Sequence, residues 1–434
     1  MNAATGRERA LLVQPQAPGR RDPALAAEFV ELARSAGAEV LDVVEARLQR
    51  PHAGLYLGSG KVEELKGLCA AAAVDVVLIN AALSPVQERN LSDSLGCRVV
   101  DRVGLILDLF AQRAVSADGK LQVELAQLKH QASRLVGKGK GMDGQRGGAI
   151  GLRGPGETAL ETDRRLVRTR IEALEQRLRR LDVQRAQMRR ARERNAVPRI
   201  ALVGYTNAGK STLFNALTGS GVYAADRLFA TLDPTVRRID GLPGAPLLLS
   251  DTVGFVRDLP HELVAAFRST LAEAREADLL LHVVDAADPE RDTHIVAVDT
   301  VLAEIGAGAI PQWRVFNKID QIEGLTAHTE PAPDGGWRVF VSARDGLGLE
   351  ALRAALAAHF AESVLEADIQ LAPTEARLHA RLHAEGAIQS ETASADGGWV
   401  LGLRLPRRSL ERLAAEPGGQ SLHALLLVDP STPT

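Results

Sequence analysis

A glycine-rich tract with the pattern GxxxxGKS runs from Gly204 to Ser211. An apolar run at 200–203 precedes it, and residues 212–217 after it are typical of the start of a helix. This order is typical of a phosphate-binding loop, because backbone N–H groups and the positive end of a helix dipole converge on phosphate oxygens. The residues predicted to contact the phosphates are Gly204, Asn207, Ala208, Gly209, Lys210, Ser211 and Thr212.

A second motif is expected to share Mg²⁺ with this loop. The hydrophobic run that starts at Leu247 ends in DxxG, from Asp251 to Gly254. Its aspartate is expected to hold Mg²⁺ through water, and its glycine amide to sense the γ-phosphate. In the first motif, Lys210 would reach the β- and γ-phosphates, Ser211 would bind Mg²⁺ directly, and the Thr212 hydroxyl would meet the α-phosphate.

A threonine between the two motifs is expected to complete the Mg²⁺ site when the γ-phosphate is present. Thr231 is the predicted switch threonine, and Thr235 remains an alternative to it. Loops of this kind order on the γ-phosphate and relax after hydrolysis, so the domain is expected to act as a switch. The predicted catalytic residues are Lys210, Thr231 and Gly254, and the predicted Mg²⁺ ligands are Ser211, Thr231 and Asp251.

The tetrapeptide NKID at 317–320 predicts a guanine base. The Asp320 carboxylate can accept from N1–H and from the exocyclic amino group of guanine, whereas adenine would leave this buried anion unpaired. Asn317 is expected to hold the loop and contact N7, and Lys318 to pack its aliphatic stem beside the base or the phosphate loop. After the predicted strand 338–341, Ser342 and Ala343 are expected to aim a backbone N–H at O6. Together the motifs predict GTP.

The residue after the DxxG motif departs from the pattern of Ras-type GTPases. Phe255 stands where those enzymes place the glutamine that orients the attacking water, so we expect slow intrinsic hydrolysis and completion of the site by a partner or another residue. Asn207 resembles the asparagine with which several translation and modification GTPases hold a potassium ion against the phosphates. The alternative is that Asn207 only stabilises the loop, and both remain open.

Composition limits what the rest of the chain can be. The 434 residues are enough for two or three domains, and 45% hydrophobic with 25% charged residues is ordinary for a globular protein. No apolar run approaches the roughly 20 residues that cross a bilayer, and the first residues lack a signal-peptide core, so we expect a cytoplasmic protein and leave a partly membrane-peripheral location open. Cys69 and Cys97 show no metal-binding spacing. The net charge of −3 means that any nucleic-acid surface must be local.

Hydrophobic patterns predict α/β domains on both sides of a helical hairpin. Short apolar runs at 10–13, 39–44, 74–79 and 98–100 predict strands of an N-terminal α/β domain. Two stripes with coiled-coil spacing follow. Their members are Leu121, Leu125, Leu128, Ala132 and Leu135, and Val167, Ile171, Leu174, Leu178 and Leu181. The predicted domains are 1–112 (α/β), 113–195 (helical hairpin), 196–365 (Ras-like P-loop GTPase) and 366–434 (small α/β).

The segment joining the two stripes is predicted to contact RNA. Residues 137–156 contain nine glycines, four cationic residues and one acid, a composition that suits an adaptable loop seeking phosphate. The second stripe adds twelve arginines against seven acidic residues between 157 and 194. The segment lacks aromatic residues for base stacking, so recognition of backbone and shape is expected, and a simple linker is the alternative. The predicted RNA contacts are Lys138, Lys140, Arg146 and Arg153.

Two further patterns are weaker. The string Gly58-Ser59-Gly60-Lys61 resembles part of a phosphate loop, but Leu55 and Val62 stand where the motif needs glycine and serine or threonine, so a helix-capping turn is predicted. In the last segment, apolar runs at 368–371, 399–405 and 422–428 predict strands. His379, His383 and Glu385 are interpreted as an exposed helix surface.

The chain resembles the HflX-type, ribosome-associated GTPases over almost its whole length. The resemblance rests on the strings at 58–65, at 151–158 leading to 161–165, and at 228–235. It implies binding to the large (50S) ribosomal subunit with its 23S rRNA, stimulation of GTP hydrolysis by ribosomes, and splitting of stalled or hibernating 70S particles by a monomer. The tip of the basic hairpin would then reach toward the peptidyl-transferase region.

Two other readings of the residues remain. A GTPase acting in ribosome assembly or RNA modification would need a substrate pocket or a KH-like GXXG loop, and neither is evident in the sequence. A passive RNA-binding scaffold would need a decayed nucleotide site, whereas every predicted nucleotide-contacting position is intact.

Overall fold

The N-terminal part of the computed structural model is a four-stranded parallel sheet. Its strands are β1 (Arg9–Gln16), β2 (Glu39–Arg47), β3 (Val76–Ile79) and β4 (Arg98–Asp101), in the order β2-β1-β3-β4. Helices α1 (Pro23–Ser35), α2 (Ser59–Ala72), α3 (Pro85–Leu95) and α4 (Arg102–Arg113) connect or follow them. The four predicted strands are confirmed, although β3 begins two residues later and β2 ends three residues later than predicted.

The structure describes most residues of the chain. They are 7–17, 19, 21–134, 155–193, 197–221, 228–229, 235–239, 246–257, 271–333, 335–361, 364–406, 409–410, 413–414 and 418–426.

Side-chain caps fix where helices begin at the carboxyl edge of this sheet. The Asp22 carboxylate accepts from the Leu25 amide at the start of α1, and the Asp101 carboxylate accepts from the Gly104 amide at the start of α4. Ser84 forms a capping box with Gln87 at the start of α3. These caps satisfy amides that the first turn of a helix leaves unpaired. They therefore hold α1 and α4 at the edge that meets the next domain.

A long helical hairpin follows. It consists of α5 (Ala117–Arg134) and α6 (Pro155–Glu193), so α6 spans about 58 Å at 1.5 Å per residue. Leu121, Leu125 and Leu174 are buried between the two helices, and Leu128, Ile171, Leu178 and Leu181 pack against them. The predicted seam is confirmed for these residues. Ion pairs of 2.7 Å, Lys129–Glu175 and Arg170–Glu124, lie along the same contact.

A seven-stranded sheet carries the central part of the chain. Its strands are β5 (Arg199–Val203), β6 (Thr235–Ile239), β7 (Leu247–Asp251), β8 (Leu279–Asp285), β9 (Gln312–Asn317), β10 (His328–Pro331) and β11 (Trp337–Phe340). The order is β10-β11-β9-β8-β5-β7-β6, with β6 and β10 antiparallel at the two edges. Helices α7 (Lys210–Thr218), α8 (Ala272–Arg275), α9 (Arg291–Glu304) and α10 (Leu349–Ala361) accompany it. The parallel strands bring their carboxyl ends, where nucleotides bind in such folds, to one edge.

A small antiparallel sheet forms the last described part. It has the order β12-β14-β13, with β12 (Val364–Leu371), β13 (Ile388–Ala393) and β14 (Trp399–Pro406). Helix α11 (Ala376–Ala384) lies between β12 and β13, and α12 (His423–Leu426) follows a 3-10 turn at Gln420–Leu422. The strand predicted at 422–428 is wrong over 422–426, because Leu422, Leu425 and Leu426 follow the helical spacing and pack on one core.

The multidomain α/β architecture is confirmed, whereas the predicted domain limits at 112, 195 and 365 stay a prediction. Among the residues that the structure describes, no helix is both long enough and apolar enough to cross a bilayer.

Candidate nucleotide-binding site

The phosphate loop joins β5 to α7 in a conformation that only glycine accepts at two positions. Gly204 has φ +147 and Gly209 has φ +92. A Cβ atom at Gly204 would overlap the Val283 carbonyl oxygen, and one at Gly209 would overlap Nδ2 of Asn317. Backbone and side chains therefore close on the loop from the neighbouring strands, and the glycines are required by both φ and space.

Among the described residues, no carboxylate lies in hydrogen-bond contact with the buried cation of Lys210. Its Nζ donates to the carbonyl oxygens of Gly204 at 3.0 Å and Tyr205 at 2.7 Å. Burial lowers the pKa of Lys210 to about 8, and the charge of Asp251 opposes that shift. A buried ammonium beside the start of a helix is suited to an anion, because a phosphate would offset the cost of its desolvation.

Two of the three predicted Mg²⁺ ligands, Ser211 and Asp251, lie among the described residues and contact each other. The Ser211 hydroxyl donates to the Asp251 carboxylate at 2.7 Å, and Asp251 is fully buried at the end of β7. A hydroxyl and a carboxylate are the oxygen donors that Mg²⁺ prefers. These residues fit the ion, which would neutralise charge developing on the phosphates during hydrolysis.

Gly254 lies against both the phosphate loop and Lys210. A Cβ atom there would stand 2.8 Å from Thr206 Cγ2 and 3.0 Å from Lys210 Nζ. The buried Thr206 Oγ1 has no hydrogen-bond partner among the described residues. No sequence motif points to this threonine. Its position beside Lys210 leaves a donor available for a phosphate oxygen or a water at this point.

Only one of the two candidate switch threonines lies among the described residues. Thr235 begins β6 and pairs with Asp251 across the antiparallel ladder. Thr231 lies outside the described residues, so the choice between the two threonines stays a prediction. Thr212 lies half-buried in the first turn of α7, and Asn207 is exposed in the loop with φ +59, a conformation that asparagine tolerates.

Asn317 connects the phosphate loop to the segment that follows β11. Its Nδ2 donates to the Ala208 carbonyl at 2.9 Å, and its Oδ1 accepts from the Ala343 amide at 2.9 Å. The expectation that Asn317 holds the loop is confirmed. The Ser342 amide donates to the Leu347 carbonyl. The expectation that Ser342 and Ala343 aim a backbone N–H at guanine O6 stays a prediction, and in this structure both amides donate to acceptors within the protein.

The Asp320 carboxylate lies at the same edge with both oxygens engaged. Oδ1 accepts from the Ser342 hydroxyl at 2.6 Å, and Oδ2 pairs with Arg344 at 2.8 Å. Arg344 is 69% exposed, while Asp320 is 8% exposed, so the arginine covers the carboxylate from the solvent side. No sequence motif points to Arg344, which donates to one of the two carboxylate oxygens of Asp320.

Lys318 has a charged role as well as the predicted packing role. It adopts the left-handed conformation with φ +63, and its Nζ pairs with Asp285 at 2.7 Å. Because Asp285 ends β8, the ion pair ties the NKID segment to the central strand of the sheet. The prediction that packing outweighs charge at this position is therefore incomplete.

The Phe255 side chain belongs to the hydrophobic core. It is fully buried, its amide donates to the Gly204 carbonyl at 3.1 Å, and its carbonyl accepts from the Thr206 amide at 2.8 Å. The segment after DxxG is thus paired with the phosphate loop through the backbone. No side chain at this position can orient a water.

A polar network that sequence reasoning missed joins this segment to the N-terminal sheet. The Tyr205 hydroxyl bonds to the Glu28 carboxylate of α1 and accepts from the Arg257 amide at 2.7 Å. Burial beside Glu28 raises the pKa of Tyr205. Arg257 pairs with Asp22 at 2.7 Å, and Arg102 of α4 donates to the Arg257 carbonyl at 2.8 Å.

This network borders a cavity of about 310 Å³ beside the phosphate loop. Glu28, Tyr205 and Asn207 line it together with His294, whose ring stacks on Tyr205 with centroids 3.8 Å apart. The residues come from distant parts of the sequence. Only the docking of the two sheets brings them together.

The predicted RNA-contacting residues cannot be placed. Lys138, Lys140, Arg146 and Arg153 lie outside the described residues. The described part of α6 exposes seven arginines, which are Arg164, Arg165, Arg168, Arg170, Arg177, Arg179 and Arg180.

Three family descriptions match successive parts of the chain. Residues 24–111 match "GTP-binding GTPase N-terminal", residues 113–192 match "GTP-binding GTPase Middle Region", and residues 199–318 match "50S ribosome-binding GTPase".

Individual proteins match over most of the length. The chain is 49% identical to "GTPase HflX" of Escherichia coli (strain K12) over 413 residues, 94% of this chain and 96% of that protein. It is 48% identical to "GTPase HflX" of Caldanaerobacter subterraneus subsp. tengcongensis over 354 residues, 81% of each. A solved structure of a GTP-binding protein from the archaeon Sulfolobus solfataricus in complex with GDP is 25% identical, with a TM-score of 0.44, and the match covers 81% of this chain and 99% of that one.

Proposed function

The chain belongs to the HflX family of GTPases, and we propose that it uses GTP to bind the 50S ribosomal subunit and to split stalled or hibernating 70S ribosomes. It is an enzyme that hydrolyses GTP to GDP and phosphate. The family description for residues 199–318, "50S ribosome-binding GTPase", supports the ribosomal partner. Binding to the 50S subunit and the splitting of 70S ribosomes are the proposed part.

One observation carries the nucleotide half of this proposal. Asn317 bonds to the phosphate loop on one side and to the Ala343 segment on the other, so a single side chain joins the predicted phosphate and base sites. We assign phosphate contacts to Gly204, Asn207, Ala208, Gly209, Lys210, Ser211 and Thr212, base contacts to Asn317, Lys318, Asp320, Ser342 and Ala343, and γ-phosphate sensing to Gly254. Mg²⁺ would be held by Ser211, Asp251 and Thr231.

The same geometry supports a route from the γ-phosphate to the rest of the molecule. Gly254 lies against Lys210, and three residues later Arg257 is bonded to Asp22 of the N-terminal part. A γ-phosphate that recruits the Gly254 amide would pull on the backbone between these contacts. The N-terminal part and its attached hairpin would then respond to hydrolysis through Tyr205, Glu28 and Arg257.

The hairpin is the proposed ribosome-binding arm. The exposed arginines of α6 suit the phosphate backbone of ribosomal RNA, and Lys138, Lys140, Arg146 and Arg153 between α5 and α6 would provide the closest contacts. Because α6 is long, charges near the loop lie far from the nucleotide. Their contribution to RNA affinity is therefore separable from GTP binding.

Potassium is proposed as an additional activator. Asn207 is exposed in the loop, where its side-chain oxygen can reach a monovalent cation held against the phosphates. Such an ion would stabilise transition-state charge as an arginine finger does. Exchange of K⁺ for Na⁺ is expected to lower turnover in the wild type but not in Asn207→Ala, and equal wild-type rates in both salts would remove the idea.

Co-sedimentation with ribosomal particles tests the whole proposal. The full-length protein is mixed with 70S ribosomes, 50S subunits or 30S precursors, with a non-hydrolysable GTP analogue or with GDP. We expect recovery with 50S subunits and loss of 70S particles with the analogue. A variant in which Lys138, Lys140, Arg146 and Arg153 are alanine should bind nucleotide normally and sediment poorly.

The outcomes separate the alternatives. Recovery with 30S precursors and no effect on 70S particles would favour a ribosome-assembly factor. Equal recovery with the GTP analogue and GDP would contradict a switch and favour a scaffold.

A further inference from the structure

Three metal-binding side chains converge in the C-terminal part, far from the nucleotide. His379 and His383 lie one turn apart on α11, and Glu391 lies on β13. His379 Nε2 is 3.1 Å from Glu391 Oε1, and His383 Nε2 is 2.9 Å from Glu391 Oε2. The three ligand atoms all lie within 4.8 Å of one another. Among the residues that the structure describes, this is the one such group of histidine, cysteine and acidic side chains.

The fold explains why these side chains face each other. Leu378 and Leu382 bury one face of α11 in the core of the domain, which turns His379 and His383 to the adjoining face. In the antiparallel ladder Glu391 pairs with Leu401 of β14. The helix and the strand thus bring together residues that are 8 and 12 positions apart.

The first histidine ring is held in place by packing. His379 stacks on Trp399 with ring centroids 4.4 Å apart and planes within 10°. Its side chain is 16% exposed, whereas that of His383 is 57% exposed. One ligand is therefore fixed in orientation before any ion binds, and the other can adjust from the solvent side. A fixed first ligand lowers the ordering cost of binding.

The three ligand atoms lie within 4.8 Å of one another, whereas neighbouring ligand atoms of a tetrahedral zinc site lie about 3.3–3.6 Å apart at bond lengths of about 2.0–2.2 Å. The two histidines contact different oxygens of Glu391, so binding of one ion by all three side chains requires a shift, which the exposed His383 side chain can supply.

We propose that His379, His383 and Glu391 form a three-ligand site for a zinc-class divalent cation, with the fourth position open to water. Two imidazoles and one carboxylate suit Zn²⁺ better than Mg²⁺, which prefers oxygen ligands alone. The ion would clamp α11 onto β13. The site is separate from the nucleotide site and does not depend on the proposed ribosomal function.

Metal analysis of the full-length, nucleotide-free protein tests this assignment. The protein is stripped with a chelator, dialysed against Zn²⁺ in slight excess, and its bound zinc is quantified. We expect the wild type to retain one equivalent more than His383→Ala or Glu391→Gln. His423→Ala, at an exposed histidine outside the cluster, is the matched control and should retain the wild-type amount.

A thermal measurement and a spectroscopic probe complete the test. Zn²⁺ should raise the melting temperature of the wild type and of His423→Ala by at least about 3 °C, and leave His383→Ala unchanged. Co²⁺ should give the visible absorption of a four-coordinate site without a thiolate charge-transfer band. A thiolate band would assign the metal to Cys69 and Cys97, whose Sγ atoms are 3.9 Å apart, and would overturn the proposal.

Equal zinc content in the wild type and both variants would overturn it as well. In that case the cluster is only a hydrogen-bonded contact between helix and strand.

Discussion

Two helices of this protein begin with a similar glycine–lysine string, and only one of them begins in a nucleotide-binding geometry. At the start of α7, Gly209 is left-handed with φ +92, and Lys210 is buried with two carbonyl oxygens bonded to its Nζ. At the start of α2, Gly58 has φ −70, and Lys61 forms an ion pair with Glu64 at 2.7 Å on the surface.

The surroundings of the two glycine strings differ even more than the strings do. A Cβ atom at Gly58 or Gly60 would meet nothing within 4 Å, whereas at Gly209 it would overlap Asn317. In α2 the glycines only allow a helix to start, as the predicted capping turn requires. In α7 they let neighbouring strands close around an anion-binding loop. Close packing from a second element therefore distinguishes a phosphate loop from a string that resembles one.

The largest difference in GTP binding is expected between two glycine-to-alanine substitutions, one at the start of α7 and one at the start of α2. Gly209→Ala should weaken GTP binding by on the order of 100-fold or more, because the substitution is strained at positive φ and collides with Asn317. Gly60→Ala should leave binding unchanged, since its Cβ enters open space. Titration of a fluorescent GTP analogue measures both, and a similar loss in the two variants would contradict the contrast.

The base site is expected to give the next largest effect. Asp320→Asn should weaken GTP binding by roughly 10- to 100-fold, because a charged acceptor of two guanine donors is lost. It should improve binding of xanthosine triphosphate, whose O2 can accept from the new amide. Competition between the two nucleotides measures the change, and Glu64→Gln beside Lys61 is the matched control. An unchanged preference for GTP would exclude Asp320 from base recognition.

The buried Lys210 is expected to take up protons when a nucleotide binds. The pKa of Lys210 is lowered to about 8, so at pH 8 the side chain is half protonated before nucleotide binds. Phosphates favour the charged form and raise the pKa, so GDP binding at pH 8 should take up about half a proton, and affinity should fall as pH rises above 8. Calorimetry in buffers of different ionisation enthalpy measures this uptake. Release of protons at pH 8 would contradict the sign.

A smaller effect is expected where the two sheets meet. Tyr205→Phe removes a buried hydroxyl that bonds to Glu28 and accepts from the Arg257 amide. We expect a loss of about 1–2 kcal/mol in the free energy of unfolding, measured by denaturant titration. Tyr56→Phe in the N-terminal part should change it little. Equal losses in the two variants would argue against a specific role of the Tyr205 contact.

The smallest effect is expected at Lys61. Lys61→Met breaks only the ion pair between the half-buried Lys61 and the exposed Glu64, so the melting temperature should change by about 1 °C or less and nucleotide binding should change little. Photo-crosslinking with labelled ATP should not modify Lys61. A stoichiometric adduct there would show that the N-terminal part binds a nucleotide after all.

Sequence patterns predicted the structure correctly where the residues of a single helix or strand determine it. The parallel strands around the phosphate loop, the seam between α5 and α6 and the capping turn at Gly58 all follow from local periodicity or chemistry. Sequence patterns predicted the structure incorrectly where it depends on packing against another helix or strand. The run at 422–428 was assigned to a strand because apolar composition alone does not separate a short strand from a short helix. His379, His383 and Glu385 are interpreted from the sequence as an exposed helix surface, whereas His379 and Glu385 are only partly exposed and the facing strand places Glu391 beside both histidines.

The sequence by itself determined the ligand class, because the residue types and spacing of a phosphate loop, DxxG and NKID are dictated by the nucleotide they bind. It also determined the helical hairpin, since its hydrophobic period is local. Only the tertiary structure decided that Asn317 joins the phosphate and base sites, that Tyr205 and Arg257 contact Glu28 and Asp22, and that Glu391 meets two histidines. These contacts join side chains from separate elements, and packing between the elements sets the distances that no local pattern encodes.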